Sequence, residues 1–247
     1  MSRIFAAIAD RLPRFGSRAN PVWRESAPEE VAYWEGVIRA RAAERGLTPP
    51  EQDHSWVREQ FDPPLPAPET IRLLDVGSGP FSTLGAAKPD SRTEIVATDA
   101  LADIYNRLLD EVGLFAYPRI RPVKAEELSR VFGAETFHLV QCANALDHCE
   151  EPAKAFAEIV TVCRPGGLVR IVSFENEGQV QNYQGLHHWN LRADDAGLWL
   201  SDRKSRSSNL FDPFRRTMTF RWQYLDDAGR QFGRPVFEAI VHKHRAG

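Results

Sequence analysis

Cysteine is scarce in this sequence. Cys142, Cys149 and Cys163 are the only three among 247 residues, and no two of them have CxxC spacing. An odd number without that spacing argues against a disulfide framework and against a cysteine zinc site. We therefore expect a protein of the reducing cytoplasm.

Long apolar runs and an excess of charge of one sign are also missing. No apolar run approaches the roughly 20 residues needed to cross a bilayer, so we expect no membrane span. The net charge of −3 gives no global basic surface for nucleic acid. There is no internal repeat and no low-complexity tract. With 43% hydrophobic residues, the chain can bury the core of one domain with additions.

A buried-strand pattern that ends in two glycines organises the chain. Residues 71–76 predict a strand, and Gly77 and Gly79 follow it in the segment LLDVGSGPFS. Glycine permits a left-handed backbone and the close approach of a ligand. A helix predicted over residues 81–87 would then point its free N–H groups at that ligand.

A second predicted strand, residues 94–98, ends at Asp99. An acid at this position can accept hydrogen bonds from the two hydroxyls of a ribose. The glycine turn and Asp99 together predict a nucleotide-type site in a doubly wound sheet. A dehydrogenase with Asp99 on the ribose of NAD shares these features and stays an alternative at this point.

The rest of the chain alternates between strand and helix patterns, which favours an α/β fold with a mostly parallel, Rossmann-like sheet. Near the end, two strand patterns flank residues 226–229 and predict an antiparallel hairpin. The further predicted strands are 120–123, 137–142, 168–174, 217–225 and 235–244, and the predicted helices are 102–112, 126–132 and 153–163.

An N-terminal helical extension precedes this core. Ser26 is predicted to cap a helix with Pro28 in its first turn, and Gly46 to end it. The proline-rich segment 62–68 predicts an extended linker. We therefore divide the chain into residues 1–70, part of a lid, and residues 71–247, the main domain with an inserted cover at 178–215.

Four ordered motifs resemble those of the class I S-adenosylmethionine-dependent methyltransferases. They are LDVGSG at 74–79, Asp99, FHLV with NALDH at 137–148, and VCRPGG at 162–167. The resemblance implies a seven-stranded sheet whose seventh strand is reversed, and S-adenosylmethionine as cofactor. It departs from the family at Phe81, where a third glycine is common, and at Lys124, where an acid is common. The implied cofactor-binding residues are Asp75, Gly77, Ser78, Gly79, Asp99, Ala100, Leu101, Ala125, Glu126 and Asn144.

The segment GLHHWN at 185–190 is similar to bacterial methyltransferases of glycan and secondary-metabolite pathways. We therefore expect methyl transfer to a hydroxyl of a small molecule or saccharide. His148 and His187 are the candidate bases, with Asp147 orienting them, and capping or surface roles remain open for each. Tyr183, His188 and Trp189 are the candidate substrate contacts.

Several alternatives remain open from the sequence. The acceptor could be an amine, and the chain could be a non-catalytic partner that binds S-adenosylmethionine. Nucleic-acid methylation is disfavoured because NALD lacks the Pro-Pro-Tyr/Phe ending of enzymes that methylate base amines. We expect no metal, because His187, His188, Asp194 and Asp195 have no recognised ligand spacing. The sequence leaves open whether the protein forms a homodimer.

Overall fold

The computed structural model describes residues 21–44, 47–89, 91–225 and 233–245. Its central sheet has seven strands within these residues, in the order β11-β12-β7-β6-β2-β4-β5. In chain order these strands are β2 (Ile71–Val76), β4 (Thr93–Asp99), β5 (Arg121–Pro122), β6 (Phe137–Ala143), β7 (Cys163–Phe174), β11 (Met218–Tyr224) and β12 (Val236–Lys243).

Strand pairing confirms the predicted fold class. β2 pairs in parallel with β4 and β6, and β6 pairs in parallel with β7. β12 is antiparallel to both β7 and β11, so it is the reversed strand that the resemblance implies. The predicted hairpin turn at 226–229 lies outside the described residues.

Helices cover both faces of the sheet, and the central parallel strands are therefore buried on both sides. The helix that contains Phe156 and Ile159 covers one face of the sheet. The helices that contain Ile38 and Tyr105 cover the other face. The described α-helices are α1 (Pro21–Ala42), α2 (Trp56–Glu59), α3 (Ala102–Glu111), α4 (Leu128–Phe132), α5 (Pro152–Val162) and α6 (Glu177–Val180). None of them is long and apolar enough to cross a membrane.

The region predicted as a cover contains a small antiparallel sheet of β8 (Trp189–Asp194), β9 (Gly197–Asp202) and β10 (Ser207–Asn209). Its buried side chains Leu191 and Leu198 belong to the core of the main sheet. Most of this region therefore packs on the domain as an extra layer.

The helix predicted at 81–87 is wrong. Residues 81–85 form bends and turns, and β3 (Ala86–Ala87) pairs with β1 (Glu51–Gln52). The cause is local, because the buried carboxylate of Asp75 accepts hydrogen bonds from Ser82 Oγ (2.6 Å) and Thr83 N (3.1 Å). These bonds hold the chain in a turn after the glycines.

The start predicted for the N-terminal helix is also wrong. Ser26 and Pro28 lie inside α1, which already includes Pro21. Burial of Trp23 and Ala27 stabilises the extra turns and offsets the hydrogen bond that Pro28 cannot donate. α1 ends at Ala42, and Gly46 lies outside the described residues.

Candidate active site

A cavity of about 660 Å³ lies where the parallel strands end. Val76, Asp99, Ala143 and Phe174, the last residues of β2, β4, β6 and β7, all line it. The carboxyl edge is the position at which doubly wound sheets bind ligands. Its volume is within the range of roughly 300–1,000 Å³ that is typical of small-molecule sites.

The glycine loop forms one wall of this cavity. Gly77 and Gly79 both have left-handed backbones, with φ of 65° and 58°, a conformation that L-residues with a Cβ rarely adopt. A side-chain carbon at Gly77 would collide with Cβ of Ala145, and one at Gly79 would lie 3.0 Å from Cζ2 of Trp34. The loop therefore needs glycine at both positions even before a ligand is considered.

Asp99 faces the cavity and is anchored by the backbone. Its Oδ2 accepts the N–H of Gly79 (3.0 Å) and its Oδ1 accepts the N–H of Leu101 (2.8 Å). Each carboxylate oxygen can accept a second hydrogen bond, so two remain for ligand hydroxyls. The surrounding protein shields this group from bulk water, which raises its pKa to about 6.

Asp75 lies behind the glycine loop and does not line the cavity. It is 1% exposed, and Gln141 Nε2 also donates to it at 3.3 Å. Burial raises the pKa of Asp75, although hydrogen bonds from Ser82 and Gln141 oppose the shift. Its described contacts position the loop, and the structure shows no side-chain surface of Asp75 toward a ligand.

The other residues implied for cofactor binding converge on the cavity. Asn144 has a left-handed backbone, with φ of 51°, and its N–H donates to Val172 O at 2.8 Å. Glu126 lines the cavity while its Oε1 accepts the N–H of Glu151 at 3.1 Å. The remaining cavity-lining residues of this set are Ser78, Ala100, Leu101 and Ala125.

Helix α1 forms the opposite wall. Trp34 packs edge-on against Phe81 and Tyr105, and its Nε1 donates to Glu30 Oε1 at 2.7 Å. Trp23 Nε1 donates to the carbonyl oxygen of His148 at 3.2 Å. The helix is thus attached both to the glycine loop and to the loop after β6.

The three predicted catalytic residues form one cluster at this cavity. His187 Nδ1 is 2.9 Å from Asp147 Oδ2 and 3.1 Å from His148 Nε2. His148 Nε2 is 3.6 Å from the same carboxylate oxygen. The loop after β6 and the segment after α6 bring these residues together, and all three line the cavity.

The charges in the cluster support each other. Burial lowers the pKa of His187, but the hydrogen bond and charge of Asp147, with Glu177 and Glu30, outweigh it, so the net pKa is raised. Burial raises the pKa of Asp147, but the neighbouring imidazoles of His148 and His187 outweigh it, so the net pKa is lowered. Asp147 is therefore a buried carboxylate that stays ionised beside two imidazoles.

The predicted substrate contacts Tyr183, His188 and Trp189 do not line the described cavity. The hydroxyl of Tyr183 accepts from Asn190 Nδ2 at 3.0 Å, and His188 Nε2 is 3.4 Å from Ser26 Oγ. Trp189 packs against the core. These three side chains are engaged in contacts of the fold, which removes them from the wall that a ligand would touch.

Sequence reasoning missed several charged residues of the cavity. Glu29 and Glu30 come from α1, and Arg234 Nη1 pairs with Glu177 Oε2 at 2.5 Å. Lys124 stands where the family commonly has an acid. It pairs with Glu150 and lies over the ring of Trp23. The aromatic pattern of the first helix was a signal for Glu29 and Glu30 alone, since Trp23 and Trp34 of that helix also line the cavity.

Comparison with known proteins agrees with this geometry. Residues 74–171 match the family described as a methyltransferase domain. No curated protein matches the chain in sequence.

Several solved structures resemble this chain at low sequence identity. The [4+2]-cyclase SpnF is 13% identical, over 94% of this chain and 100% of its own, with a TM-score of 0.50. The 1,6-didemethyltoxoflavin-N1-methyltransferase of Burkholderia thailandensis is 16% identical, over 94% of each chain, with a TM-score of 0.44. A SAM-dependent methyltransferase from Aquifex aeolicus is 15% identical, over 84% of this chain and 97% of its own, with a TM-score of 0.43. One of these proteins is named as a cyclase, so the fold alone does not fix the reaction.

The sheet order, the glycine loop and Asp99 define a class I methyltransferase fold with a nucleoside site. They agree with the match of residues 74–171 to a methyltransferase domain, and both indicate S-adenosylmethionine as the cofactor. The site fits its cofactor, since Asp99 has acceptor capacity for a ribose and the glycine loop leaves room for close approach. Ala100, Leu101 and Ala125 would contact the nucleoside.

Proposed function

We propose that this enzyme methylates a hydroxyl group of a small molecule or saccharide. The observation that carries the proposal is the Asp147–His148–His187 cluster, which opens into the same cavity as the glycine loop and Asp99. A hydroxyl holds its proton at pH 7, so its methylation benefits from a group that removes that proton as the new bond forms.

The chain's own part of the reaction is alignment and proton removal. S-adenosylmethionine supplies a methyl group already activated on a sulfonium. Asp99 and the glycine loop hold the cofactor on one side of the cavity, and Asp147 fixes the ring of His187 on the other. Alignment of this kind supplies much of the rate in such transfers, and an imidazole of the cluster accepts the hydroxyl proton.

The lining of the cavity favours an acceptor with both apolar faces and polar groups. Trp23, Tyr33 and Trp34 offer aromatic surfaces, and Gln181 and Gln184 offer amides. Aromatic rings and a few polar groups together suit sugars and oxygenated ring compounds.

We also propose that α1 and residues 177–187 act together as a cover. Both segments line the cavity, from Trp23 to Trp34 and from Glu177 to His187. Ser26 Oγ lies 3.4 Å from His188 Nε2, at the place where the two segments meet. A closed cover keeps water away from the reacting groups.

Amine methylation is the second candidate. The carboxylates of Glu29 and Glu30 line the cavity, and carboxylates favour a cationic acceptor. An amine must lose its proton before it is methylated, so this reaction also needs a site that accepts one.

The test is release of S-adenosylhomocysteine with panels of sugars, phenols and amines. For the accepted compound, His187→Ala should lower turnover by about 10²–10⁴-fold and leave S-adenosylhomocysteine affinity unchanged. His244→Ala is the matched control, because its side chain is exposed and lies outside the cavity wall. Turnover with amines alone, or full turnover in His187→Ala, would contradict the proposal.

A further inference from the structure

We infer that Asp147, His148 and His187 form a binding site for one divalent transition-metal ion. Three donor atoms converge on one point: Asp147 Oδ2, His148 Nε2 and His187 Nδ1, separated by 2.9, 3.1 and 3.6 Å. Every corner of such a triangle is about 1.9 Å from its centre. An ion with bonds of about 2.1 Å, the usual length for nitrogen and carboxylate ligands of zinc, would sit about 1 Å out of the plane.

One proton does not engage all three atom pairs. If His187 Nδ1 carries a proton, it can donate to Asp147 or to His148, and Asp147 Oδ2 and His148 Nε2 then face each other with lone pairs across 3.6 Å. If both ring nitrogens carry protons, two N–H groups face each other across 3.1 Å. A cation satisfies all three contacts at once, because each atom then directs a lone pair to the same centre.

The donor set selects the kind of ion. Two imidazoles and one carboxylate suit zinc, iron, cobalt or nickel, whereas magnesium and calcium prefer oxygen ligands alone. Three protein ligands on one side leave coordination positions free, as in catalytic metal sites. All three ligands line the cavity, so a free position can face the acceptor.

Neighbouring groups fit a metal site. Asp147 is 2% exposed, and Glu30 Oε1 lies 3.9 Å from His148 Nδ1, the ring nitrogen on the side away from the cluster. A carboxylate on the far side of a ligating histidine is a common arrangement that orients the ring. Trp34 holds this carboxylate in turn.

We rest this inference on the proposed function and change one step of it. The ion, rather than an imidazole, would lower the pKa of the bound acceptor hydroxyl, whose proton would then pass to water. The oxygen–methyl bond would form as the sulfur–methyl bond breaks, and S-adenosylhomocysteine would leave. Recognition of the cofactor by Asp99 and the glycine loop is unaffected.

The experiment uses full-length protein that has been stripped with a chelator and titrated with ZnCl2 by calorimetry, without cofactor or acceptor. We expect one ion per chain. Asp147→Asn, His148→Gln and His187→Gln should each weaken binding by at least about 100-fold, and His244→Gln, at an exposed side chain outside the cavity, should leave it unchanged. Titration with CoCl2 gives a second readout, since three-ligand binding produces visible absorption bands that His187→Gln removes.

The outcomes separate metal binding from methyl transfer. Absence of zinc binding by the parent protein, or equal binding by the three ligand variants, overturns the metal site. If turnover still depends on His187 in that case, the proposed function stands without the ion. If the ion binds as expected but no hydroxyl compound is methylated, the metal site stands and the proposed function fails. Circular dichroism identifies a variant that fails to fold, and the other variants and the cobalt spectrum then decide.

Discussion

Asp99 combines a fixed position with spare acceptor capacity. Backbone N–H groups of Gly79 and Leu101 hold its two oxygens, so the carboxylate is positioned before the ribose arrives. We expect Asp99→Ala to weaken S-adenosylhomocysteine binding by about 2 kcal/mol, the scale of lost charge-assisted hydrogen bonds. Calorimetry measures this, with Glu94→Ala, an exposed acid on the same strand, as the control. Equal affinity of the two variants would remove Asp99 from the site.

The same residue predicts how cofactor binding depends on pH. The pKa of Asp99 is raised to about 6 by burial, with Glu30 raising it further and backbone hydrogen bonds and His148 opposing the rise. Ribose hydroxyls bind the ionised carboxylate of Asp99. At lower pH this carboxyl group must therefore release its proton before the cofactor can bind. Below about pH 6, the dissociation constant of S-adenosylhomocysteine should rise by about tenfold per pH unit.

Calorimetry across this pH range tests the prediction. Asp99→Asn cannot titrate, so its weaker affinity should stay flat between about pH 5 and pH 7. A decline of the same size in Asp99→Asn would assign the pH dependence to another group.

Residues that follow local rules could be predicted from the sequence. Asp99, Gly77 and Gly79 were found because a strand end and its turn are encoded in a few neighbouring residues. The cluster of His148 and His187 was predicted only as separate candidates, because their rings meet across two loops that are 39 positions apart. The pairing of Arg234 with Glu177 had no sequence signal, since it depends entirely on how distant segments pack.

At the scale of elements, the glycine loop is fitted to the loop after β6. A side-chain carbon at Gly77 would collide with Cβ of Ala145, and its φ of 65° already disfavours other residues. We expect Gly77→Ala to lower both thermal stability and S-adenosylhomocysteine affinity, because the loop must shift. Thermal melts with and without ligand measure both effects.

Two variants sharpen this test. Gly36→Ala has open space around it in α1 and should raise stability by about 0.5–1 kcal/mol. Adding Ala145→Gly to Gly77→Ala removes the collision but keeps the backbone strain, so it should restore part of the loss. No restoration would mean that Ala145 is not the obstacle.

Element boundaries were less predictable than element types. The βα alternation was readable because apolar periodicity is local. The turn at Ser82, which replaces the predicted helix, depends on the carboxylate of Asp75 and was not readable. Nor was the early start of α1, because burial of Trp23 overrides the signals at Ser26 and Pro28.

For the whole molecule, α1 belongs to the same core as the sheet domain. Ile38 is fully buried and packs in one cluster with Ala97 and Tyr105. We therefore expect Ile38→Ala to lower the free energy of unfolding by about 2–5 kcal/mol in a single transition. Val131→Ala, at a side chain on α4 that is 43% exposed, should change it by less than about 0.5 kcal/mol. A separate early transition of α1 in denaturant would show that it is an independent segment.

The attachment of α1 also sets the order in which the site is completed during protein synthesis. The bond from Trp23 to His148 spans 125 positions, and the contact of Ser26 with His188 spans 162. Helix α1 is therefore synthesised well before His148 and His188, with which it makes these contacts. Long-range contacts of this kind form slowly. Nascent chains arrested before residue 148 should fail to retain S-adenosylhomocysteine, whereas released full-length chains retain it. The enzyme thus becomes able to hold its cofactor only after residue 148 has left the ribosome.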